Sequence, residues 1–586
     1  MTVDLGQWTL ALHGGDLPDR ELIGGKAWSV ARMQALGLDV PPAFVITTAA
    51  CRAYLAAGDM PAELELEIDA GVAWLEARTG RAFGRGPRSL LVSVRSGAPV
   101  SMPGMMDTVL NLGINDETEA ALAAECGDAA FARNTHKRFL DLYAHIVLRA
   151  EAPALENAET PAQWRAAIVA VCGSAPPSNP REQLRAAVRA VFDSWNSRRA
   201  RRYRQHHGIS DTLGTAVTIQ AMVFGNIDDN SGTGVLFSRN PTTGARAPYG
   251  EYLPRAQGED VVSGKFTPKP IGVLGERAPE ALAALLEAAQ KLELAARDVQ
   301  DIEFTVERGK LYLLQSRAAK LAPHAAAPIA VDLAREGLID ENTAVLRVTP
   351  EQARVVLSPR ITQTALHSAS VLASGEGASP GVATGAVVTD SDEAEQRAKQ
   401  SEAVILVRPT TSPEDLHGMI AARAIVTETG GATSHAAVVG RALGLPSVVG
   451  CGVGALSALA GRVVTVDGCS GRIYDGALAM ESPEEREHAA FAQLAEWAAK
   501  MSPLRVVPPS APEAAQAVDL SGRDDAADPE TIGAVLESLK GARGARGGAV
   551  ASDEGVRAAI RVGLAFIVAD PVLPPLLAAA RATTKV

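Results

Sequence analysis

Cysteine is sparse in this 586-residue chain: Cys51, Cys126, Cys172, Cys451 and Cys469 form no CxxC pair and no zinc spacing. That excludes a disulfide framework and points to a reducing compartment, the cytoplasm. Aromatic residues are also few, at 4%, so Ala and Val carry much of the apolar load. A membrane-spanning helix needs ~20 predominantly apolar residues, and the best candidate, Val562–Ala580, is interrupted by Asp570, Pro571, Pro574 and Pro575. The opening MTVDLGQWTLALHGG lacks the basic stretch and apolar core of a secretory signal. Cationic surplus is missing too: 56 Lys and Arg stand against 68 Asp and Glu, a net charge of −12, which argues against a general polyanion binder. The run RRARRYR (198–204) lies in a helical stretch of this acidic chain and reads as a solvated or ion-paired face rather than a nucleic-acid arm.

What is present is material for several packed cores. Hydrophobic residues make up 47% and charged residues 21%, which excludes a disordered chain. The length suggests roughly three to five domains. Gly-rich segments with short Val/Ile strands fill 20–110 and 214–320. Between them, about 115–205 carries apolar residues at helical intervals over Glu117–Glu125, Ala130–Arg149 and Arg181–Tyr203. LAPHAAAP (321–328) marks a boundary, helices follow, and SASVLASGEGASPG (368–381) reads as a linker. From Gly381 to about Tyr474 short strands alternate with helices, the pattern of a compact α/β domain. The last ~75 residues look helical. The fold class is multidomain α/β and α+β.

Five strings carry chemistry. In IGGKAWSVARMQALG (23–37), Gly24-Gly25 and Lys26 open a helix; a glycine pair lets backbone approach a ligand, with the lysine beside a phosphate. In LLVSVRSGAPVSMPG (90–104), a strand delivers Arg95 to a loop containing Gly97, Ser101, Pro103 and Gly104, which suits polyphosphate. GTAVTIQAMVFGNIDDNSGTGVLF (214–237) has two strands joined by a loop ending Ser231-Gly232-Thr233-Gly234. In QDIEFTVERGKLYLLQSR (300–317), alternation puts Asp301 and Glu303 on one strand face, and a turn at Glu307–Lys310 returns Gln315 and Arg317. Two carboxylates so placed suit Mg²⁺ under a nucleotide; an exposed hairpin gives the same alternation. In TETGGATSHAAVVGRALG (427–444), a strand enters Gly430-Gly431 and a helix starts near Thr433, with His435 in its first turn. A helix N-terminus disfavours imidazolium and stabilises a phosphoryl group placed on the ring.

Together these strings, with YGEYLPRAQGEDVVSG (249–264), resemble pyruvate phosphate dikinase and, more loosely, phosphoenolpyruvate synthase, over about 20–478. The resemblance implies an ATP-grasp nucleotide-binding domain over 1–330, including the helical insertion. A helical connector and hinge (331–374), a swivelling phosphohistidine domain (375–478), a helix and linker (479–510) and a short, mostly helical region (511–586) complete the division. It implies that Lys26 and Arg95 contact ATP phosphates and that Gln220, Met222 and Val223 border the adenine. The 230–234 loop, with Ser231, Gly232, Thr233 and Gly234, would cover the phosphates. Asp301, Glu303 and Gln315 would arrange Mg²⁺, with Arg317 alongside. His435 would take the β-phosphoryl of ATP by way of a pyrophosphoryl-histidine, leaving AMP, with inorganic phosphate removing the γ-phosphoryl as pyrophosphate.

The chain departs from the family in three places. Ala27-Trp28 follows Lys26 where the family has Gly, and Thr429 and Ala432 replace an arginine and a methionine beside Gly430-Gly431. Only 108 residues follow Leu478, whereas the barrel that carries the family's phosphoenolpyruvate or pyruvate site takes ~200 at minimum. The expectation is an ATP-dependent phosphotransferase that loads His435 and passes the phosphoryl to an acceptor bound outside this chain. The alternatives are a complete phosphotransferase for a non-pyruvate acceptor, resembling rifampin phosphotransferase, and a non-catalytic nucleotide-responsive scaffold. The expected partners are ATP, inorganic phosphate and an acceptor molecule or acceptor-domain protein, with neither nucleic acid nor membrane; self-association is left open.

Overall fold

The computed structural model describes residues 3–100, 102, 107–150, 155, 158–262, 266–357, 360–443, 445–481, 485, 488–521, 523, 526, 532–539 and 541–582. Ser101, Pro103 and Gly104 of the expected phosphate loop lie outside them.

Two antiparallel sheets build the N-terminal half. The first has six strands in the order 3–4, 9–12, 43–46, 216–221, 92–97, 108–112, and the second has five in the order 269–270, 249–254, 232–237, 300–307, 310–318. The helix Arg20–Ala35 joins them: Ile23, Ala27, Val30 and Met33 pack with Ala43 and Val45 of the first sheet and with Ile302, Phe304 and Leu313 of the second. Phe304 is fully buried and lies parallel to Tyr252, ring centres 6.4 Å apart. Its truncation to Ala would cost ~3–5 kcal/mol.

The insertion between the strands of the first sheet is helical because its caps and periodicity agree. Asp128 caps Ala129–Ile146, which buries Phe131, Thr135, Phe139 and Tyr143 at four-residue steps. Asn179, followed by Pro180, starts Pro180–Ser194, which buries Leu184, Val188 and Val191. The arginine run falls on Arg198–His206. Arg204 is completely buried, donates to Asp211 and to the Trp195 carbonyl at 2.6 Å each, and lies 4.1 Å from the centre of the Trp195 ring. Arg199 pairs with Asp107. These are ion-pair and packing roles, as the charge balance suggested.

An eight-stranded mixed sheet, in the order 371–374, 472–475, 463–467, 382–388, 404–408, 424–427, 447–449, 376–379, carries His435. The stretch 368–381, expected as a linker, therefore supplies both edge strands of this sheet, Val371–Ser374 and Glu376–Ser379. Small residues serve there because strands approach closely: a Cβ on Gly375 or Gly377 would come within 2.4 Å of a neighbouring carbonyl oxygen. The true crossings lie further out, where Arg360–Ile361 pairs antiparallel with Met480–Glu481. The two crossings leave a helical platform formed by Pro323–Arg335, Glu341–Arg347, Pro350–Val356, Ala489–Met501 and Leu573–Ala582, which share one apolar core.

Helices occupy much of the C-terminal region, as expected, together with a parallel four-stranded sheet ordered 505–507, 566–568, 544–546, 518–519 that was not anticipated. Strands of two or three residues show no alternation, so the sequence pattern could not announce them.

Candidate active site

The hairpin Gln300–Ala318 turns at Arg308-Gly309, both at positive φ, 52° and 79°. Its register sets Asp301 opposite Arg317 and Glu303 opposite Gln315, so all four side chains share one face. Arg317 Nε donates to Asp301 at 2.8 Å. Arg95, on the strand Val92–Gly97 of the other sheet, donates to Glu303 and to Gln315 Oε1, each at 3.2 Å. A register shift after Glu303 leaves Leu314 as the extra residue, and its carbonyl also faces Arg95, at 3.5 Å.

Lys26 reaches the same cluster because Gly24 breaks the helix Arg20–Ala35 at φ 73°, ψ 163°. A Cβ at Gly24 would lie 1.8 Å from the Gly97 carbonyl oxygen, and Gly25 N donates to Ala98 O at 3.0 Å. The glycine pair thus brings the helix onto the end of Arg95's strand. The close approach expected toward a ligand is made toward this strand.

Electrostatics follow from the crowding. Burial, reinforced by Arg95, pulls the half-buried Lys26 down to about 7. Burial works against ionised Glu303, yet Arg95, Arg317 and Lys26 outweigh it and hold the carboxyl below its ordinary value. Burial likewise opposes charge on Arg317, and Asp301 and Glu303 prevail to raise its pKa. Three cationic side chains against two carboxylates make a site for an anion. Among the described residues no group of three or more His, Cys, Asp or Glu is placed to hold a metal ion. Two carboxylates with the Gln315 amide oxygen nevertheless form a donor set that Mg²⁺ accepts when phosphate oxygens complete its shell.

The other expected nucleotide contacts fall elsewhere. Gln220 is buried and its amide donates to Pro41 O at 3.1 Å, while Met222 N donates to Leu91 O at 2.9 Å. Met222 lines a small cavity of about 40 Å³ with Phe224 and Glu307; Val223 is half-buried and not part of that lining. The loop expected over 230–234 is already strand from Gly232. A Cβ at Gly232 would meet Tyr252 Oη at 2.1 Å, and one at Gly234 would meet the Phe304 ring at 2.7 Å. Thr233 Oγ1 donates to Phe304 O, and Ser231 Oγ donates to Asp228 and accepts from Arg308 N. These residues admit aromatic rings and close the sheet; they stand outside the charged cluster.

His435 is the first residue of the helix His435–Leu443. Its Nδ1 is 3.2 Å from Thr411 Oγ1. Burial lowers its pKa, with Asp415 opposing, which favours the neutral ring. The loop before it is seated on the second sheet: Thr433 Oγ1 donates to Glu251 at 2.6 Å, and Ala432 N lies 3.1 Å from both Glu251 and Glu376 carboxylates. Tyr249 donates to Glu376 at 2.6 Å. Burial raises the pKa of Glu251. Sequence reasoning missed Glu251 and Thr411; the available signals were a lone carboxylate within the strand Tyr249–Pro254 and a hydroxyl pair ahead of Ser412-Pro413.

Comparison with known proteins agrees with this layout. The family model "Pyruvate phosphate dikinase, AMP/ATP-binding domain" matches residues 20–78 and 55–279, and "PEP-utilising enzyme, mobile domain" matches 400–471. Pyruvate, phosphate dikinase of Rhizobium meliloti is 44% identical over 531 residues, covering 83% of this chain and 59% of the relative. The Clostridium symbiosum protein of the same name is 40% identical over 538 residues, covering 86% and 61%. Pyruvate, phosphate dikinase 2 of Zea mays is 45% identical over 455 residues, covering 74% and 51%. The chain thus spans between 51% and 61% of the length of these curated relatives. No helix among the described residues is long and apolar enough to cross a membrane. With the paired sheets, the mobile-domain sheet and these matches in agreement, the chain carries an AMP/ATP-binding domain and a mobile domain similar to those of pyruvate, phosphate dikinases.

Proposed function

We propose that the protein binds Mg·ATP between its two N-terminal sheets and transfers the β-phosphoryl group to His435, for delivery to an acceptor held outside residues 1–586. The observation that carries this is the convergence of Lys26, Arg95 and Arg317 with Asp301, Glu303 and Gln315 from two sheets and a helix. The cations would hold the non-bridging phosphate oxygens. Asp301, Glu303 and Gln315 would hold Mg²⁺, which when bound neutralises charge on the phosphates. Met222 and its neighbours would border the base.

Thr411 occupies Nδ1 of His435, which leaves Nε2 as the nucleophile. Its attack forms an N–P bond to the β-phosphorus and breaks the bond to the α–β bridging oxygen, which departs on AMP. Inorganic phosphate then attacks the γ-phosphorus, pyrophosphate leaves, and one phosphoryl group stays on the ring. Glu251 supports the reading by gripping the loop that carries His435. Label from ATP bearing ³²P at the β position should appear on the protein, acid-labile and alkali-stable, and vanish in His435→Ala. Label arriving only from the γ position, or residing on serine or threonine, would overturn the proposal.

A further inference from the structure

The helical insertion lines a half-open cavity of about 490 Å³ that includes no residue of the charged cluster. Ile114, Phe139, Leu140, Pro176 and Pro177 give it apolar walls, and His136 is set among them. That volume and composition match ligand pockets, which combine apolar lining with a few placed polar groups.

His136 is 2% exposed and built into position. Its Nδ1 lies 2.7 Å from Glu119 Oε2, while the other oxygen of Glu119 accepts from Arg133 Nε at 2.7 Å. Trp164 meets the imidazole edge-on, centroids 6.2 Å apart at 81°. Nδ1 is thereby committed to a carboxylate that is itself anchored. Nε2 remains the ring's one polar atom without a hydrogen-bond partner among the described residues. A ring donating from Nδ1 presents an unprotonated Nε2, an acceptor. Burial, working against the nearby Glu119, lowers the His136 pKa and keeps the ring neutral. At the mouth, Arg165 and Asp116 are tied to each other by two hydrogen bonds of 2.8 Å, so neither offers a strong demand for a charged ligand.

We propose that this cavity is a binding site for a small uncharged aromatic molecule carrying one hydroxyl or ring N–H donor, which hydrogen-bonds His136 Nε2. An occupant would brace Ile114 and Asn115, which continue the strand Thr108–Leu112.

Calorimetric titration of the full chain with phenol, indole and toluene tests the site. Phenol and indole should each bind at one site, with toluene weaker by about tenfold or more. Glu119→Gln, which frees the ring to place its proton on Nε2, and His136→Phe should each weaken phenol by a similar factor without altering toluene. If His136→Phe fails to fold, Glu119→Gln decides. Equal affinity for phenol and toluene, unchanged phenol binding in the folded variants, or no phenol or indole binding up to about 10 mM would overturn the proposal.

Discussion

Lys26 offers the sharpest test of the charged cluster. Its ammonium is desolvated and faces Arg95 and Arg317, with Glu303 as the one countervailing charge, and its pKa stands at about 7 against an ordinary 10.5. ATP brings several negative charges into that space, which should return the lysine toward its ordinary value. Binding must then take up protons. The neutral fraction of the free protein sets the amount: about 0.1 proton at about pH 6, 0.5 at about pH 7 and 0.9 at about pH 8. The same linkage weakens ATP affinity by nearly tenfold per pH unit above about pH 8, because deprotonated Lys26 must be recharged before it can bind. Between about pH 7 and 10.5 the unfolded chain holds a proton that the free folded protein lacks, so Lys26 makes the nucleotide-free protein more stable as pH rises through that window. Calorimetry in buffers of differing ionisation enthalpy reads the uptake directly, and Lys26→Met serves as the blank. Uptake that does not change between about pH 6 and 8, or that persists in Lys26→Met, would refute the placement of Lys26 on the phosphates.

Replacing Asp301 and Glu303 by alanine would leave Arg95 and Arg317 without counter-charges. The cost is ~3–5 kcal/mol for a fully buried pair and less here, because Glu303 is 31% and Arg317 37% exposed. The isosteric Asp301→Asn/Glu303→Gln should instead keep the melting temperature near that of the parent while removing the Mg²⁺ dependence of ATP affinity, checked by titration with and without Mg²⁺. Glu251→Ala should slow loading of His435 by about 10–100-fold, the worth of charge-assisted hydrogen bonds of ~1.5–3 kcal/mol, and leave ATP affinity unchanged; loss of ATP binding would contradict its role at the loop. Because burial lowers the His435 pKa, the deprotonated nucleophile persists below the ordinary value of 6.5, and the acid limb of the loading rate should fall below that pH. A limb at or above it would show the ring to be solvated during reaction. Gly377→Pro should melt the mobile domain early rather than stiffen a linker, since residue 377 pairs with Val448 and a Cβ there would lie 2.4 Å from Gly468 O; an unchanged melting profile would contradict that strand.

The sequence by itself determined the features whose causes are local. Alternation across Gln300–Arg317, with Arg308-Gly309 at its turn, specifies the hairpin and the shared face of Asp301, Glu303, Gln315 and Arg317. Caps and apolar spacing specify the helical insertion, and Gly430-Gly431 ahead of small residues places His435 at a helix start. Tertiary structure alone decided which distant groups meet. Arg95 finds Glu303 across 208 positions and Glu251 finds Thr433 across 182, pairings that no local period encodes. It also decided what the glycines are for: Gly24, Gly232 and Gly234 each make room for a neighbouring strand or ring, a requirement set by atoms far away in the chain. Residues 371–379 become strands because edges of a sheet were there to pair with them. The Lys26 and His435 pKa values belong to this second class, since desolvation exists only once the chain has closed around the group.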